Sequence, residues 1–108
     1  MIVNSMVGII ENGKKLILVL SHSTSSASNY AERIAEKRNV NVEKIKYERD
    51  FNVIEQTYEI TPLNKDAEIK ITIVDDNPFD LSAHTDHVIF RFDGQKWNPT
   101  YLMHPKYH

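Results

Sequence analysis

The chain has 108 residues, with 13 Lys and Arg against 15 Asp and Glu, and therefore a formal net charge of −2 at pH 7. This length fits one domain that is large enough to bury its own hydrophobic core. Because the sequence contains no cysteine, it excludes disulfide stapling, thiolate catalysis and cysteine-ligated zinc or iron–sulfur centres.

The charge is distributed unevenly along the chain. Residues 50–86 contain nine acidic and two basic residues, a local net charge of −7, so the remainder carries +5. Since a phosphate backbone is repelled by the acidic part, nucleic acid is disfavoured as a partner. The apolar runs are far shorter than the roughly 18 residues that a membrane span needs, and no signal peptide is evident. We therefore expect a soluble protein of the cytoplasm, or of the host cytoplasm if the chain is viral, with no membrane partner.

Two strands are predicted at the start of the chain. Residues 16–20 are five consecutive aliphatic residues, which predicts a central strand covered at least in part on both faces. A segment rich in Val, Ile and Met precedes it, and Asn12-Gly13 lies between the two. Asn-Gly is typical of a type I′ turn, so the first two strands are expected to pair as an antiparallel hairpin.

A helix is predicted directly after this hairpin. Thr24, Ser25 or Ser26 is expected to cap its N-terminus. Apolar residues then follow with the spacing i, i+3, i+4, i+7, i+8, which places them on one helical stripe, namely Ala27, Tyr30, Ala31, Ile34 and Ala35. The opposite face is charged and expected to be wet, with Glu32, Arg33, Glu36, Lys37 and Arg38. Asn39 is expected to end the helix.

Alternation of apolar and polar residues predicts the remaining strands. It is found in residues 44–48, 54–60, 68–73 and 88–92, with turns expected at 50–52 and 61–66. Residues 75–87 read as a loop or a short irregular helix. Asp93-Gly94 ends the last of these strands, and a returning arm is expected to begin at Lys96 and Trp97.

The predicted fold is α+β, a mostly antiparallel sheet of five to six strands packed against one main helix in the order ββαβββ(β). Residues 1–97 form the single domain, and residues 98–108 form a C-terminal arm that either packs across the sheet or serves as a docking tail. The opening order resembles the start of a β-grasp domain such as ubiquitin. This resemblance is one of topology over the first half of the chain, and because no diglycine tail is present it implies no conjugation role.

Two weak patterns suggest a small ligand. Ser23, Thr24, Ser25 and Ser26 at a helix N-terminus are suited to a phosphate or carboxylate, although the same residues are ordinary helix caps. Asp80, His84, Asp86 and His87 form an acidic, imidazole-rich loop, and on a helical turn His84 and His87 would share one side and bind a divalent metal such as zinc. The alternative is a solvated surface loop with no metal.

Aromatic residues in the C-terminal arm point to a protein partner. Trp97, Tyr101, Met103 and Tyr107 are of types enriched at binding hot spots, although an arm that only covers the sheet would use the same residues. No catalytic constellation is recognised, so the leading hypothesis is a non-enzymatic interaction module, accessory or regulatory, that binds another protein or a second copy as a homodimer. A viral origin is suggested only by small size. No cofactor is expected for this module. The alternatives are a metal- or anion-binding protein, which could hold a divalent metal, and an acidic decoy for a nucleic-acid-binding protein.

Overall fold

The computed structural model describes residues 8–12, 14–25, 29–76 and 84–103, and these residues form one antiparallel sheet of eight strands. In chain order the strands are β1 (Gly8–Asn12), β2 (Lys15–Ser23), β3 (Asn29–Arg38), β4 (Val40–Asp50), β5 (Val53–Pro62), β6 (Glu68–Asp76), β7 (His84–Phe92) and β8 (Trp97–Met103). They lie side by side in the order β4-β5-β2-β3-β6-β7-β8, with β1 against β2.

Strand β2 lies at the centre of this sheet, as predicted. On one edge it pairs with β5 over residues 16–23. On its other edge β1 pairs with residues 15–19, and β3 joins it through the single pair His22 and Ala31. The predicted hairpin of the first two strands is therefore confirmed.

The core lies between the inward faces of β2, β6 and β7. Every second residue of each strand is buried there: Leu16, Leu18 and Leu20 in β2, Ile69, Ile71 and Ile73 in β6, and Val88, Phe90 and Phe92 in β7. Ile60, Ala67 and Trp97 complete the buried cluster. The alternation seen in the sequence at 68–73 and 88–92 is thus confirmed as a pattern of half-buried strands.

The predicted helix is wrong, and with it the α+β class, the order ββαβββ(β) and the β-grasp-like topology. Residues 29–38 of the predicted helix form strand β3, residues 26–28 lie outside the described residues, and the described residues contain eight strands and no helix. Asn39 does end the element, with a positive φ of 56° between β3 and β4, so the boundary was right and the element type was wrong.

Long-range pairing explains why a helix-like sequence forms a strand here. Ala, Glu, Arg and Lys favour helix locally, but a helix of this length is marginal in water without tertiary support. Strand β3 pairs with β6 along its whole length, with a register shift between Ile34 and Glu36. Since the isoleucine-rich β6 already has β7 on one edge, β3 completes its backbone hydrogen bonding on the other. That gain outweighs the local preference.

The segment expected to be a loop or irregular helix at 75–87 is partly strand. Strand β6 continues to Asp76 and β7 begins at His84, while residues 77–83 lie outside the described residues. Residues 98–103 continue β8, which pairs with β7 from Trp97 to Met103. In the part of the chain that the structure describes, no helix is long and apolar enough to span a bilayer.

Candidate functional site: the β4–β5 hairpin

The hairpin of β4 and β5 forms one margin of the sheet. Strand β4 has 11 residues and stands at the end of the strand order, where β5 is its paired neighbour among the described strands. All residues of β4 from Glu43 to Asp50 are exposed. A long exposed edge strand offers unpaired backbone N–H and C=O groups to another chain.

Large apolar side chains are exposed on this hairpin more than elsewhere in the described chain. Of the six that are exposed, four lie between positions 45 and 53, namely Ile45, Tyr47, Phe51 and Val53. We call residues 45–49 of β4 the hairpin edge and residues 50–53 the hairpin tip. An apolar group exposed on one element in this way is typical of a contact surface for another molecule.

The hairpin tip contains a strained aromatic residue. Asp50 pairs with Val53 across a two-residue turn, and Phe51, the first turn residue, has a positive φ of 53°. Such turns prefer Gly, Asn or Asp at positions of positive φ, and a bulky residue in that region costs on the order of 1–3 kcal/mol. Burial does not offset this cost, because Phe51 is 90% exposed.

Contacts on both sides hold the tip in this conformation. The backbone N–H of Thr24, just after β2, donates a hydrogen bond of 2.8 Å to the carbonyl of Asn52. The Arg49 guanidinium Nε donates to the carbonyl of Phe51 at 3.4 Å. The turn is thus tied to the central strand, and the Phe51 ring is presented outward from a fixed base.

The hairpin edge carries alternating charge. Lys46 Nζ lies 3.2 Å from Glu48 Oε1, with side chains 60% and 58% exposed, and Arg49 follows. A register shift between Lys44 and Lys46 marks a bulge at Ile45. Charges and bulges on an edge strand limit indiscriminate strand pairing.

Three of the four predicted interaction residues lie elsewhere, on β8. Trp97 is only 3% exposed, its ring centroid is 5.3 Å from that of Phe92, and its Nε1 donates to the carbonyl of Lys14 at 3.0 Å. Tyr101 is exposed. Met103 ends β8, and Tyr107 lies outside the described residues. Trp97 therefore acts as a core residue that joins β8 to the β1–β2 turn.

The serine-rich junction has lost the feature that made it a candidate anion site. Ser23 ends β2, and its Oγ accepts a hydrogen bond of 3.2 Å from the backbone N–H of Ser25. Thr24 donates its own N–H to Asn52, and Ser26 lies outside the described residues. Because residues 29–38 form a strand, the described residues supply no helix dipole that could attract an anion at this junction.

The candidate metal residues are spread along a strand. His84, Asp86 and His87 belong to β7, where positions three apart fall on opposite faces rather than on one side as in a helical turn. The Nδ1 atom of His87 lies 3.1 Å from Oγ1 of Thr72 on the neighbouring strand. Asp80 lies outside the described residues, among which no group of three or more acidic or histidine side chains is placed to hold a metal ion.

Sequence reasoning missed a buried carboxylate, that of Glu32, which it placed on a wet helix face. Glu32 is 4% exposed, and its Oε1 accepts a hydrogen bond of 2.6 Å from the backbone N–H of Ser21. Burial raises the pKa of Glu32 to about 7, with the Ser21 N–H acting in the opposite direction and the charge of Glu55 adding to the rise. Burial likewise raises the pKa of the neighbouring Tyr30, and the Glu32 charge adds to it.

No protein-family model, curated protein or solved structure matches this chain. Function is therefore inferred from the geometry of the chain itself. Among the features described above, the hairpin edge and tip are the ones that combine exposure, strain and patterned charge.

Proposed function

We propose that the chain is a non-enzymatic protein–protein interaction module that binds its partner through the edge and tip of the β4–β5 hairpin. The observation that carries the proposal is Phe51, whose ring is 90% exposed and whose backbone has a positive φ of 53°. Strained residues that gain nothing within the fold are found at functional sites. Aromatic side chains are also the type that most often anchors a protein interface.

The surroundings of Phe51 support the same use. Tyr47 and Val53 are exposed beside it on the hairpin, and charged residues flank them along β4. An apolar centre with a polar, charged rim is the usual composition of a protein contact surface. An exposed edge strand adds backbone hydrogen bonds to what the side chains supply.

Replacing Phe51 with glycine is expected to raise the free energy of unfolding by roughly 0.5–1 kcal/mol, because the strain is relieved and no buried contact is lost. Leu63, in the turn after β5, is the matched control: it is also exposed, at 66%, but is not among the residues of positive φ. Leu63→Gly is expected to lower stability slightly, since glycine adds disorder to the unfolded chain. Urea unfolding of both variants measures the difference. A loss of stability in Phe51→Gly would mean that the fold itself needs this ring.

Photo-crosslinking tests the proposed function directly. A benzophenone amino acid is placed at position 51, or at position 63 as a control, in cells that make the protein, and adducts are identified by mass spectrometry. We expect a defined protein adduct, either with a second copy or with one other protein, from position 51 and not from position 63. Equal labelling from both positions would refute the proposal.

A further inference from the structure

The edge of β4 away from β5, with which no described strand pairs, presents the backbone groups of particular residues. Asp50 pairs with Val53 across the two-residue turn, and in such a hairpin the closing pair exchanges both backbone hydrogen bonds. Because bonded and non-bonded pairs alternate, every second residue back along β4 bonds to β5, namely Asp50, Glu48 and Lys46. Tyr47 and Arg49 therefore direct their backbone N–H and C=O groups away from the sheet.

A second copy of the chain can pair with this edge about a two-fold axis, and the residue on the axis defines the register. With Glu48 on the axis, Glu48 faces Glu48 of the second copy. With Arg49 on the axis, two arginines meet and Glu48 faces Asp50. With Lys46 on the axis, two lysines meet. Like charges directly opposite one another oppose strand pairing, so each of these three registers carries a repulsion at the axis, even where Lys46 faces Asp50 or Lys44 faces Glu48 further out.

The register with Tyr47 on the axis has no such conflict. Tyr47 faces Tyr47 of the second copy, with the outward backbone groups of both residues directly opposed. On either side of the axis, Lys46 of one copy faces Glu48 of the other. Lys46 and Glu48 already form an ion pair within one chain. The two lysines and two glutamates of the dimer would therefore alternate in charge around the axis. Arg49 of each copy approaches the bulge at Ile45 of the other, so the regular pairing is argued over residues 46–48.

From this self-complementary edge we propose that the partner is a second copy of the chain, with β4 paired to β4 in antiparallel fashion and Tyr47 on the two-fold axis. The inference rests on the proposed function, for which it names the partner. In this register the hairpin tip of one copy lies alongside the start of β4 of the other. Phe51 is thereby brought next to a strand whose Val40 and Val42 are half-buried.

Charge reversal tests this register with a built-in control. Lys46→Glu and Glu48→Lys each place like charges opposite one another at two symmetric positions. Sedimentation velocity over a hundredfold concentration range is expected to show a reversible dimer for the wild type and about tenfold or more weaker association for each single variant. The double variant Lys46→Glu/Glu48→Lys restores both pairs and is expected to regain the dimer. The other three registers do not predict weakening by both single variants followed by rescue. With Glu48 or Lys46 on the axis the double variant still opposes like charges, and with Arg49 on the axis Glu48→Lys faces Asp50 and strengthens association.

Every outcome separates this inference from the proposed function. A monomer at all concentrations, or a dimer that the single variants leave intact, overturns the inference. A double variant that stays monomeric overturns the register. If the purified chain is monomeric and position 51 still crosslinks to another protein, the proposed function stands and only the second copy is excluded. The single variants also break the ion pair between Lys46 and Glu48 within one chain, but an exposed pair contributes little to stability. Thermal unfolding of each variant checks that the fold is as stable as in the wild type.

Discussion

Replacing Trp97 with alanine is expected to lower the free energy of unfolding by about 3–5 kcal/mol, a large part of the stability of a small domain. The side chain is buried in the core, packs against Phe92 and donates a hydrogen bond to the carbonyl of Lys14. Its removal therefore leaves a cavity, an unsatisfied carbonyl and a loosened connection between β8 and the β1–β2 turn. Urea unfolding at low temperature measures the loss.

Two variants calibrate this result. Trp97→Phe keeps most of the ring contact and removes the hydrogen bond, so it is expected to cost about 1–2 kcal/mol. Tyr101→Ala, on the same strand but at an exposed side chain, is expected to cost less than Trp97→Ala. If the free energy of unfolding of Trp97→Ala lay within about 1 kcal/mol of the wild-type value, Trp97 would belong to a loose arm and not to the core.

The stability of the protein is expected to fall as the pH rises from 5 to 8, because of Glu32. Its pKa is about 7 in the folded chain against an ordinary value of 4.5, so the folded state holds a proton that the unfolded state has released in this range. Stability is then greatest below the unfolded pKa and declines until the pH passes the folded pKa. This rise in the pKa of Glu32 corresponds to a loss on the order of 3 kcal/mol in the free energy of unfolding, from below the unfolded pKa to above the folded pKa.

Glu32→Gln isolates this effect from the other carboxylates. The amide oxygen can still accept the hydrogen bond that the Ser21 N–H donates to Oε1, but the side chain no longer titrates. The difference in unfolding free energy between the wild type and Glu32→Gln is expected to change steadily from pH 5 to pH 8, in favour of the variant at the alkaline end. Parallel pH profiles for the two proteins would show that Glu32 is solvated and titrates normally.

The core strands were predictable because their signal is local and periodic. The alternation of Ile69, Ile71 and Ile73 matches one face of a strand, and the five aliphatic residues of β2, followed by turn residues, are typical of a central strand. Strand β3 was not predictable in this way. Its alanines and charged residues match a helix, its period-two pattern is broken by the shift between Ile34 and Glu36, and the pairing with β6 that decides its structure joins distant parts of the chain.

The candidate site was beyond sequence reasoning for a related reason. The turn at 50–52 was predicted, but nothing in the letters Asp-Phe-Asn shows that Phe51 has a positive φ or that its ring is exposed. Both follow from the pairing of Asp50 with Val53, which fixes a two-residue turn. Glu32 gave no signal either, because one acidic residue among several charged neighbours looks like a solvent-facing position.

Residue-resolved amide hydrogen exchange is the most direct test of the dimer. In the proposed register the N–H of Tyr47 points away from its own sheet and is bonded by the second copy, whereas the N–H of Glu48 bonds to β5 within the chain. We therefore expect protection of Tyr47 to rise with protein concentration while protection of Glu48 stays constant. Rapid exchange of the Tyr47 amide at every concentration would contradict the account, because the edge of β4 would then be free.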